Sequence, residues 1–399
     1  MPQKRIVLQY CGIINPNDIN SNLEHDGFKA LQKVNDGMTS AQVIEELKIS
    51  GLRGRGGAGF PTGLKCEMAA NATGKEKYAL CNADEGEVGT FKDRYILTND
   101  PFSLIEGLAI TALTIGAKQG YIYLRSEYHY MLDMINSAIR QANEKGFLKG
   151  VNIEVREGAG AYICGEESAL MESIEGKRGE VRPRPPFPPT QGLRAMPTTI
   201  NNVETLMNIP RIVLHGGEWF SKEGTDQSKG TKVFSVAGDV DRPGVYEMTL
   251  GSKLSELVVE LAGAKNINLV QIGGATGRII PASMLDTKLS FETILGAGAI
   301  TVFNKNRDVI DIIHRTLEFL AEESCGKCSP CREGTTALVT ILDKFANGQG
   351  TNTELSLLEE LSSAMMLSSL CGLGQAAPNP VLDSLEHFRG AFEERIRVN

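Results

Sequence analysis

Fifteen consecutive residues, Gly51-Leu-Arg-Gly-Arg-Gly-Gly-Ala-Gly-Phe-Pro-Thr-Gly-Leu-Lys65, include six glycines. So few side chains build no core, but they let the backbone lie against a flat or phosphorylated ligand with its N–H groups turned inward. Arg53, Arg55 and Lys65 supply charge for phosphates, and Phe60 offers a face to an adenine or nicotinamide ring. No Gly-Lys-Ser/Thr closes the stretch, so it is not a P-loop. The dinucleotide fingerprint is met loosely, as Gly54-Arg-Gly56-Gly-Ala-Gly59. Taken alone, the stretch reads equally well as a flexible surface loop.

The flanking sequence has the alternation of an α/β layer. A leading strand is expected over Arg5–Tyr10, a short helix from Phe28 to Val34, and a helix N-capped by Thr39 that runs to Lys48. Lys77–Ala83 reads as a buried strand ending in the acids of Asp84-Glu-Gly-Glu-Val-Gly89, where ligands of open α/β sheets bind. Helices over Leu104–Gly116 and Glu127–Lys145 alternate with strands at Gly120–Arg125 and Val151–Arg156, which predicts a mainly parallel sheet. A second glycine-rich segment, Glu157–Ser168, opens another helix. Arg182-Pro-Arg-Pro-Pro-Phe-Pro-Pro-Thr-Gln-Gly192 can be neither helix nor central strand, and is expected to form an extended wall of the site. Beyond Thr231 the pattern becomes a compact module of short strands and one helix, and from Val309 onward it is helical.

Eight cysteines divide into two groups. Cys11, Cys66, Cys81 and Cys164 are scattered and are read as core residues. Cys325, Cys328 and Cys331 recur every third residue, and Cys371 follows forty positions later. With no convincing leader at the start and no apolar run near the ~18 residues of a membrane span, a cytoplasmic protein without direct membrane insertion is expected. In that setting clustered thiols are metal ligands more often than disulfides. Three close cysteines and one distant one suit a single [4Fe–4S] cluster, with zinc as the competing occupant. Lys327, Arg332 and the helix start after Cys331 would balance the cluster's negative charge. The net charge of −8 argues against broad nucleic-acid binding.

A nucleotide loop and a one-electron cluster in one chain need an intermediary, and flavin connects hydride chemistry to single electrons. Asn82, Asp84, Glu85 and the loop from Gly158 to Ser168 are candidate flavin contacts.

Together, GRGGAGFPTGLK, CNADEGEVGTFKDR, GAGAYICGEESAL, NNVETL, ESCGKCSPCREGT and SLCGLG resemble the NADH-binding flavoprotein (51-kDa) subunit of respiratory complex I and its relatives in NAD-linked hydrogenases and formate dehydrogenases. The likeness runs from about Gly51 to Pro380. It implies an N-terminal segment (1–50), a Rossmann-like FMN/NADH domain (51–225), a ubiquitin-like (β-grasp, SLBB) domain (226–305) and a C-terminal helical bundle (306–399) carrying one [4Fe–4S] cluster on Cys325, Cys328, Cys331 and Cys371. The residues it places at FMN and NAD(H) are Gly54, Arg55, Gly56, Gly57, Ala58, Phe60, Gly63 and Lys65, then Asn82, Asp84, Glu85 and Glu87. Further along they are Tyr162, Gly165, Glu166, Glu167, Phe187, Asn201, Asn202 and Thr205. Phe60 and Phe187 match positions that stack on the nucleotide, and Glu87 matches the acid that holds the adenosine ribose. Glu85, Glu87, Glu166 and Glu167 would orient ligands, and no acid or base is required.

The chain departs from the pattern at Cys66, where many members have Trp, and at Met68, where they have an aromatic residue. Gly86 and Val88 stand in place of a common serine and proline, which leaves the parent complex open. The resemblance implies a thioredoxin-like [2Fe–2S] subunit and a larger iron–sulfur or catalytic subunit as partners. It is compatible with NADH oxidation or with NAD⁺ reduction. A non-catalytic iron–sulfur scaffold is the alternative from another class.

Overall fold

The computed structural model describes residues 4–293 and 295–397, so expectations for the first three residues, Ile294 and the last two lie outside it. Strands β1 (Tyr78–Ala83), β2 (Gln119–Leu124), β3 (Asn152–Glu157) and β4 (Thr198–Asn202) form a sheet of order β3-β2-β1-β4 in which every pairing is parallel. The chain moves outward from β1 to β3 and then crosses to the other side of β1. The strand order therefore reverses between β1 and β4, which opens a crevice at their carboxyl ends. Asn82, next to last in β1, lies beside Asn202, the last residue of β4, and Cys81 beside Asn201.

The helix Pro101–Ile115 supports this sheet and is buried at every residue but Leu113. Asp100 caps it by accepting from the Ser103 N–H at 3.0 Å, Pro101 opens it, and Gly116 ends it in the left-handed conformation. Gly107 lies so close to the helix Val203–His215 that a Cβ there would collide with the Leu206 carbonyl. The helix Ser40–Ile49 begins with a reciprocal capping box between Thr39 and Gln42, at the cap that the sequence predicts.

A second sheet contains β5 (Thr231–Gly238), β6 (Gly244–Thr249), β7 (Ile267–Ile272), β8 (Arg278–Pro281) and β9 (Ala299–Asn304) in the order β6-β5-β9-β7-β8. β5 and β9 run parallel and the other pairs antiparallel. Four larger elements, Val309–Glu322, Ser329–Ala346, Asn352–Ser368 and Asn379–His387, make the C-terminal part helical. Among the described residues no helix is long and apolar enough to cross a membrane.

Several expectations need correction. Arg5–Tyr10 is not a strand. Its backbone bends around the buried Glu247 carboxylate, which accepts the N–H groups of Ile6, Val7 and Leu8 at 2.9, 3.0 and 2.9 Å. A partner about 240 positions away thus overrides a local apolar pattern. The expected helix over Glu127–Lys145 starts as a tighter 3-10 turn, Ser126–Met131, and becomes α-helical at Leu132–Glu144. The end of the glycine stretch is helical, as part of Thr62–Asn71, and the helix Lys92–Asn99 follows the acids after β1 without having been anticipated.

Candidate functional site

The crevice at the switch point opens into a cavity of about 600 Å³, within the ~300–1,000 Å³ usual for small-molecule sites. Gly56, Gly57 and Ala58 line it from one side, and Asn82, Asp84, Glu85 and Glu87 line it beyond β1. Tyr162, Gly165, Glu166 and Asn202 complete the expected lining. The glycine loop is closed by hydrogen bonds from Gly54 N–H to the Phe60 carbonyl (2.9 Å) and from Thr62 N–H to the Leu52 carbonyl (2.8 Å). Residues 55–59 are thereby held as a projecting loop. Gly56 sits against β4, where a Cβ would come within 3.0 Å of the Asn202 side chain.

Other expected residues lie away from this lining. The Arg55 guanidinium, expected at a phosphate, is fully buried and donates to the carbonyls of Arg53 (3.2 Å) and Lys229 (2.7 Å). Thr205 accepts the Arg55 N–H at 2.8 Å, and Lys65 reaches the Ile200 carbonyl at 2.8 Å. Gly63 serves helix packing, since a Cβ there would meet the Lys48 backbone at 2.8 Å. Phe60 and Phe187 are 42% and 49% exposed and outside the cavity. The proline-rich segment does not line the cavity either, but Arg184 pairs with Glu166 and Glu167.

Within the cavity, several polar groups already have structural duties. Glu85 accepts the Asp93 and Arg94 N–H groups at 2.7 and 2.9 Å, closing the start of the helix Lys92–Asn99 from outside it. Glu166 caps Glu167–Ile174 through the Ser168 and Ala169 N–H groups, and Asn202 caps Val203–His215 through Glu204 N–H. Glu87 accepts from the Tyr162 hydroxyl and the Ala275 N–H, both at 2.7 Å. Others are unspent. Asp84 Oδ2 and Thr90 Oγ1 on the lining have no partner, and Asn201, 3% exposed and next to Asn202 but off the lining itself, has none for its oxygen or its nitrogen. Buried polar atoms without partners cost about 1–3 kcal/mol each, so their grouping at one crevice is what a polar ligand such as FMN would satisfy.

Burial pushes the Asp84 carboxyl up from 3.8 to about 7, against the pull of Arg125. The folded chain therefore holds this proton more tightly than the unfolded chain, and the stability due to Asp84 falls as pH rises from 3.8 to about 7. Asp84→Asn should flatten that fall, by on the order of 1 kcal/mol. Thermal melts of cofactor-free protein at acidic and neutral pH check this, and equal slopes for both forms would contradict it.

Sequence reasoning missed the far wall. Ile272, Gly273, Thr276, Arg278 and 295–297 from the second sheet line the cavity, as do Gly372, Leu373, Ala376 and Asn379 from the helical part. Arg278 pairs with Asp383 at 2.6 Å, and Asn379 donates to the Thr276 carbonyl at 3.0 Å, which locks these two parts together. The neighbouring glycines Gly273 and Gly274, both at positive φ, were the available signal for a close backbone approach.

Beside this cavity Cys325, Cys328, Cys331 and Cys371 line one small space with Ser324, Lys327, Ile163, Val181 and Leu373. Cys328 and Cys371 occupy the extended cap positions before the helices Ser329–Ala346 and Gly372–Ala376. Gly326 makes the intervening turn at φ 74°, and Gly374 lies where a Cβ would press within 2.8 Å of Cys331. No group of three His, Cys, Asp or Glu among the described residues is arranged to hold a single metal ion. Lys327 and Arg332, expected to offset cluster charge, are engaged with protein. Lys327 donates to the Val181 carbonyl (2.7 Å) and Arg332 to the Gly326 carbonyl (2.7 Å). The four scattered cysteines are buried, as expected.

A parallel sheet with unpaired polar atoms at its switch point, next to a four-cysteine cage, defines a nucleotide-dependent flavoprotein oxidoreductase with an iron–sulfur region. Family comparison agrees: the Nuo51 FMN-binding domain matches residues 47–211, and the NADH-ubiquinone oxidoreductase-F iron-sulfur binding region matches 311–395. The chain belongs to this NADH-ubiquinone oxidoreductase F (51-kDa) family. It is 41% identical to the NADP-reducing hydrogenase subunit HndC of Solidesulfovibrio fructosivorans, over 99% of this chain and 84% of that one. It is also 41% identical to the mitochondrial NADH dehydrogenase (ubiquinone) flavoprotein 1 of Dictyostelium discoideum, over 89% of this chain and 79% of that one. A crystal structure of an NAD⁺-reducing [NiFe]-hydrogenase superposes with a TM-score of 0.91 at 39% identity, covering 100% of this chain and 68% of that one. The protein is thus an oxidoreductase component that binds FMN and NAD(H) and carries a 4Fe–4S region.

Proposed function

We propose that the cavity is the shared site of FMN and NAD(H), and that electrons pass between it and a [4Fe–4S] cluster held by Cys325, Cys328, Cys331 and Cys371. The observation that carries this reading is the common wall: Ile163 and Leu373 line both the cavity and the cysteine cage. Two apolar side chains there keep water out of the gap and bring the two redox sites into adjacency. When bound, FMN supplies the conversion between the hydride chemistry of nicotinamide and the one-electron chemistry of the cluster. The residues of the chain bind and orient. Gly56 and Gly57 let the backbone approach the ligand, and Asn201, Asp84 and Thr90 offer their unpaired atoms. Glu87, held by Tyr162 and Ala275, presents a fixed carboxylate toward a ribose, while Phe60 and Phe187 remain free to stack. No side chain needs to move a proton.

In this reading the four-stranded part is the Rossmann-like domain of 51–225. The mixed sheet, with its parallel β5/β9 pair, is the ubiquitin-like (SLBB) domain of 226–305, and the helices of 306–399 are the cluster-bearing bundle. Relatives that are parts of larger enzymes imply a partner that takes or supplies electrons. Suitable partners are a thioredoxin-like [2Fe–2S] subunit and a larger iron–sulfur or catalytic subunit. Leu367, 90% exposed just ahead of Cys371, supports a docking face near the cage. Equal identity to a hydrogenase component and to an NADH dehydrogenase flavoprotein makes the partner, rather than this chain, the determinant of electron direction.

The experiment is an anaerobic absorbance spectrum of the purified protein before and after NADH. Bleaching of bound flavin is expected. A spectrum without extractable flavin, or one inert to NADH, would restore the scaffold reading.

A further inference from the structure

The cavity and the cage are built from segments far apart in sequence, so their separation must be fixed by contacts across the common wall. Ile163 lies on the turn Tyr162–Gly165, whose Gly165 carbonyl accepts from Asn82 at 2.8 Å on the cavity side. The first N–H of that turn, on Tyr162, donates to Glu323 Oε2 at 3.0 Å. Glu323 is the C-cap of the helix Val309–Glu322 and stands two residues before Cys325. The Tyr162 ring also meets Phe319 of the same helix edge-on, with centroids 5.2 Å apart. Two other hydrogen bonds join these regions, from Lys327 to the Val181 carbonyl (2.7 Å) and from Arg178 to the Cys325 carbonyl (3.1 Å). Both come from flexible, partly or largely exposed side chains and anchor the far end of the segment, where water competes. All three have one charged partner, but only the Glu323 bond acts on the turn itself.

We propose that Glu323 is a positioning residue for electron transfer: its carboxylate holds the Tyr162–Gly165 turn against the cysteine-bearing loop and so sets the gap between flavin cavity and cluster. The inference rests on the reading of the cavity given above. A one-electron step falls steeply with separation, so releasing the turn slows that step; Tyr162 on the same turn also holds Glu87, so hydride transfer is followed as a separate step. The carboxylate acts here as an acceptor, so a neutral acceptor of the same length preserves the effect.

The test uses the whole protein, loaded with flavin and cluster, as wild type, Glu323→Ala and Glu323→Gln. Hydrogen exchange of the peptide containing the Tyr162 amide should accelerate by roughly tenfold in the alanine variant and stay near wild type with glutamine. In anaerobic stopped flow, flavin bleaching by NADH measures the hydride step in each variant, and cluster reduction is read against it. Cluster reduction should lag by about tenfold in Glu323→Ala and recover in Glu323→Gln. The inference is overturned if the alanine variant shows unchanged exchange, if cluster reduction keeps pace with bleaching, or if glutamine restores exchange without restoring transfer. If the alanine variant fails to assemble its cluster, Glu323→Asp carries the test, because it keeps the charge beside Cys325 and withdraws the acceptor by one methylene. A normal transfer rate in that variant also overturns the inference. Absence of flavin bleaching in the wild type would instead refute the site assignment, while the exchange measurement still reports on the Glu323 contact.

Discussion

Cys371→Ala is expected to abolish electron delivery to a partner while NADH continues to bleach the flavin at close to the original rate. Cys371 lines the cage with the other three cysteines and precedes the short helix Gly372–Ala376. Burial raises its thiol pKa, and the Leu373 and Gly374 N–H groups at that helix start oppose the rise. Those amides favour the thiolate that a cluster requires. Removing the sulfur takes away one corner, and the cluster should be lost or reduced to a smaller form. Hydride transfer depends instead on how nicotinamide is stacked in the cavity, whose polar lining comes mainly from other elements. Iron content, flavin content and circular dichroism establish that the variant is folded and loaded with FMN. Dye reduction at the flavin and transfer to the natural acceptor are then compared. Undiminished transfer would remove the cysteine cage from the electron path.

Glu204→Ala is expected to destabilise the fold by about 3–5 kcal/mol, because it leaves the buried Lys232 ammonium without a carboxylate and takes one of two carboxylates from Lys92, which keeps Asp93 at 2.7 Å. Glu204 Oε2 lies 2.6 Å from the Lys232 ammonium and 3.0 Å from that of Lys92, and its Oε1 accepts the Val233 N–H at 2.8 Å. Glu204 and Lys232 are fully buried and Lys92 almost so. The carboxylate thus joins the floor of the cavity to β5 of the second sheet. Burial pushes the Lys232 pKa down, with Glu204 pulling it back. Without Glu204 the folded state favours neutral Lys232 even more, whereas the unfolded chain keeps its proton up to the ordinary value of 10.5. The unfolded state then binds more protons, so the stability of the variant rises with pH toward 10.5. Burial holds the wild-type Lys232 at about 7, so the same rise operates in the wild type above that pH; the deficit in denaturation midpoint is largest in acid and levels off above about 7. An unchanged midpoint at neutral pH would disprove the linkage.

Much of the site was legible because its signals are local. The glycines of 51–65, the acids after β1 and the three-residue spacing of Cys325, Cys328 and Cys331 each lie within a short window. Strand and helix periods also identified β1, β2 and β3 of the parallel sheet, but not β4. Roles that depend on a distant partner were not legible. Glu85, Glu166 and Asn202 are a different case: they line the cavity as expected, and each also closes a helix start close by in sequence, as Asp and Glu side chains near N-termini often do. The Arg55 side chain looked free for phosphate, but carbonyls at Arg53 and Lys229 had claimed it. Arg5–Tyr10 had the pattern of a strand until Glu247 gathered its N–H groups.

The amino-acid sequence by itself determined the chemistry on offer: a glycine-rich loop with little side chain, four clustered thiols and an α/β alternation that must place strand ends next to one another. These follow from residue type, spacing and period, which need no knowledge of what packs where. The tertiary structure decided the arrangement. It set the strand order that puts Asn82 beside Asn202, brought the second sheet and the helical part in as the cavity's far wall, and made Ile163 and Leu373 common to the cavity and the cysteine cage. Such contacts join residues hundreds of positions apart, and they form because burying apolar surface and pairing buried charges satisfies the whole chain at once.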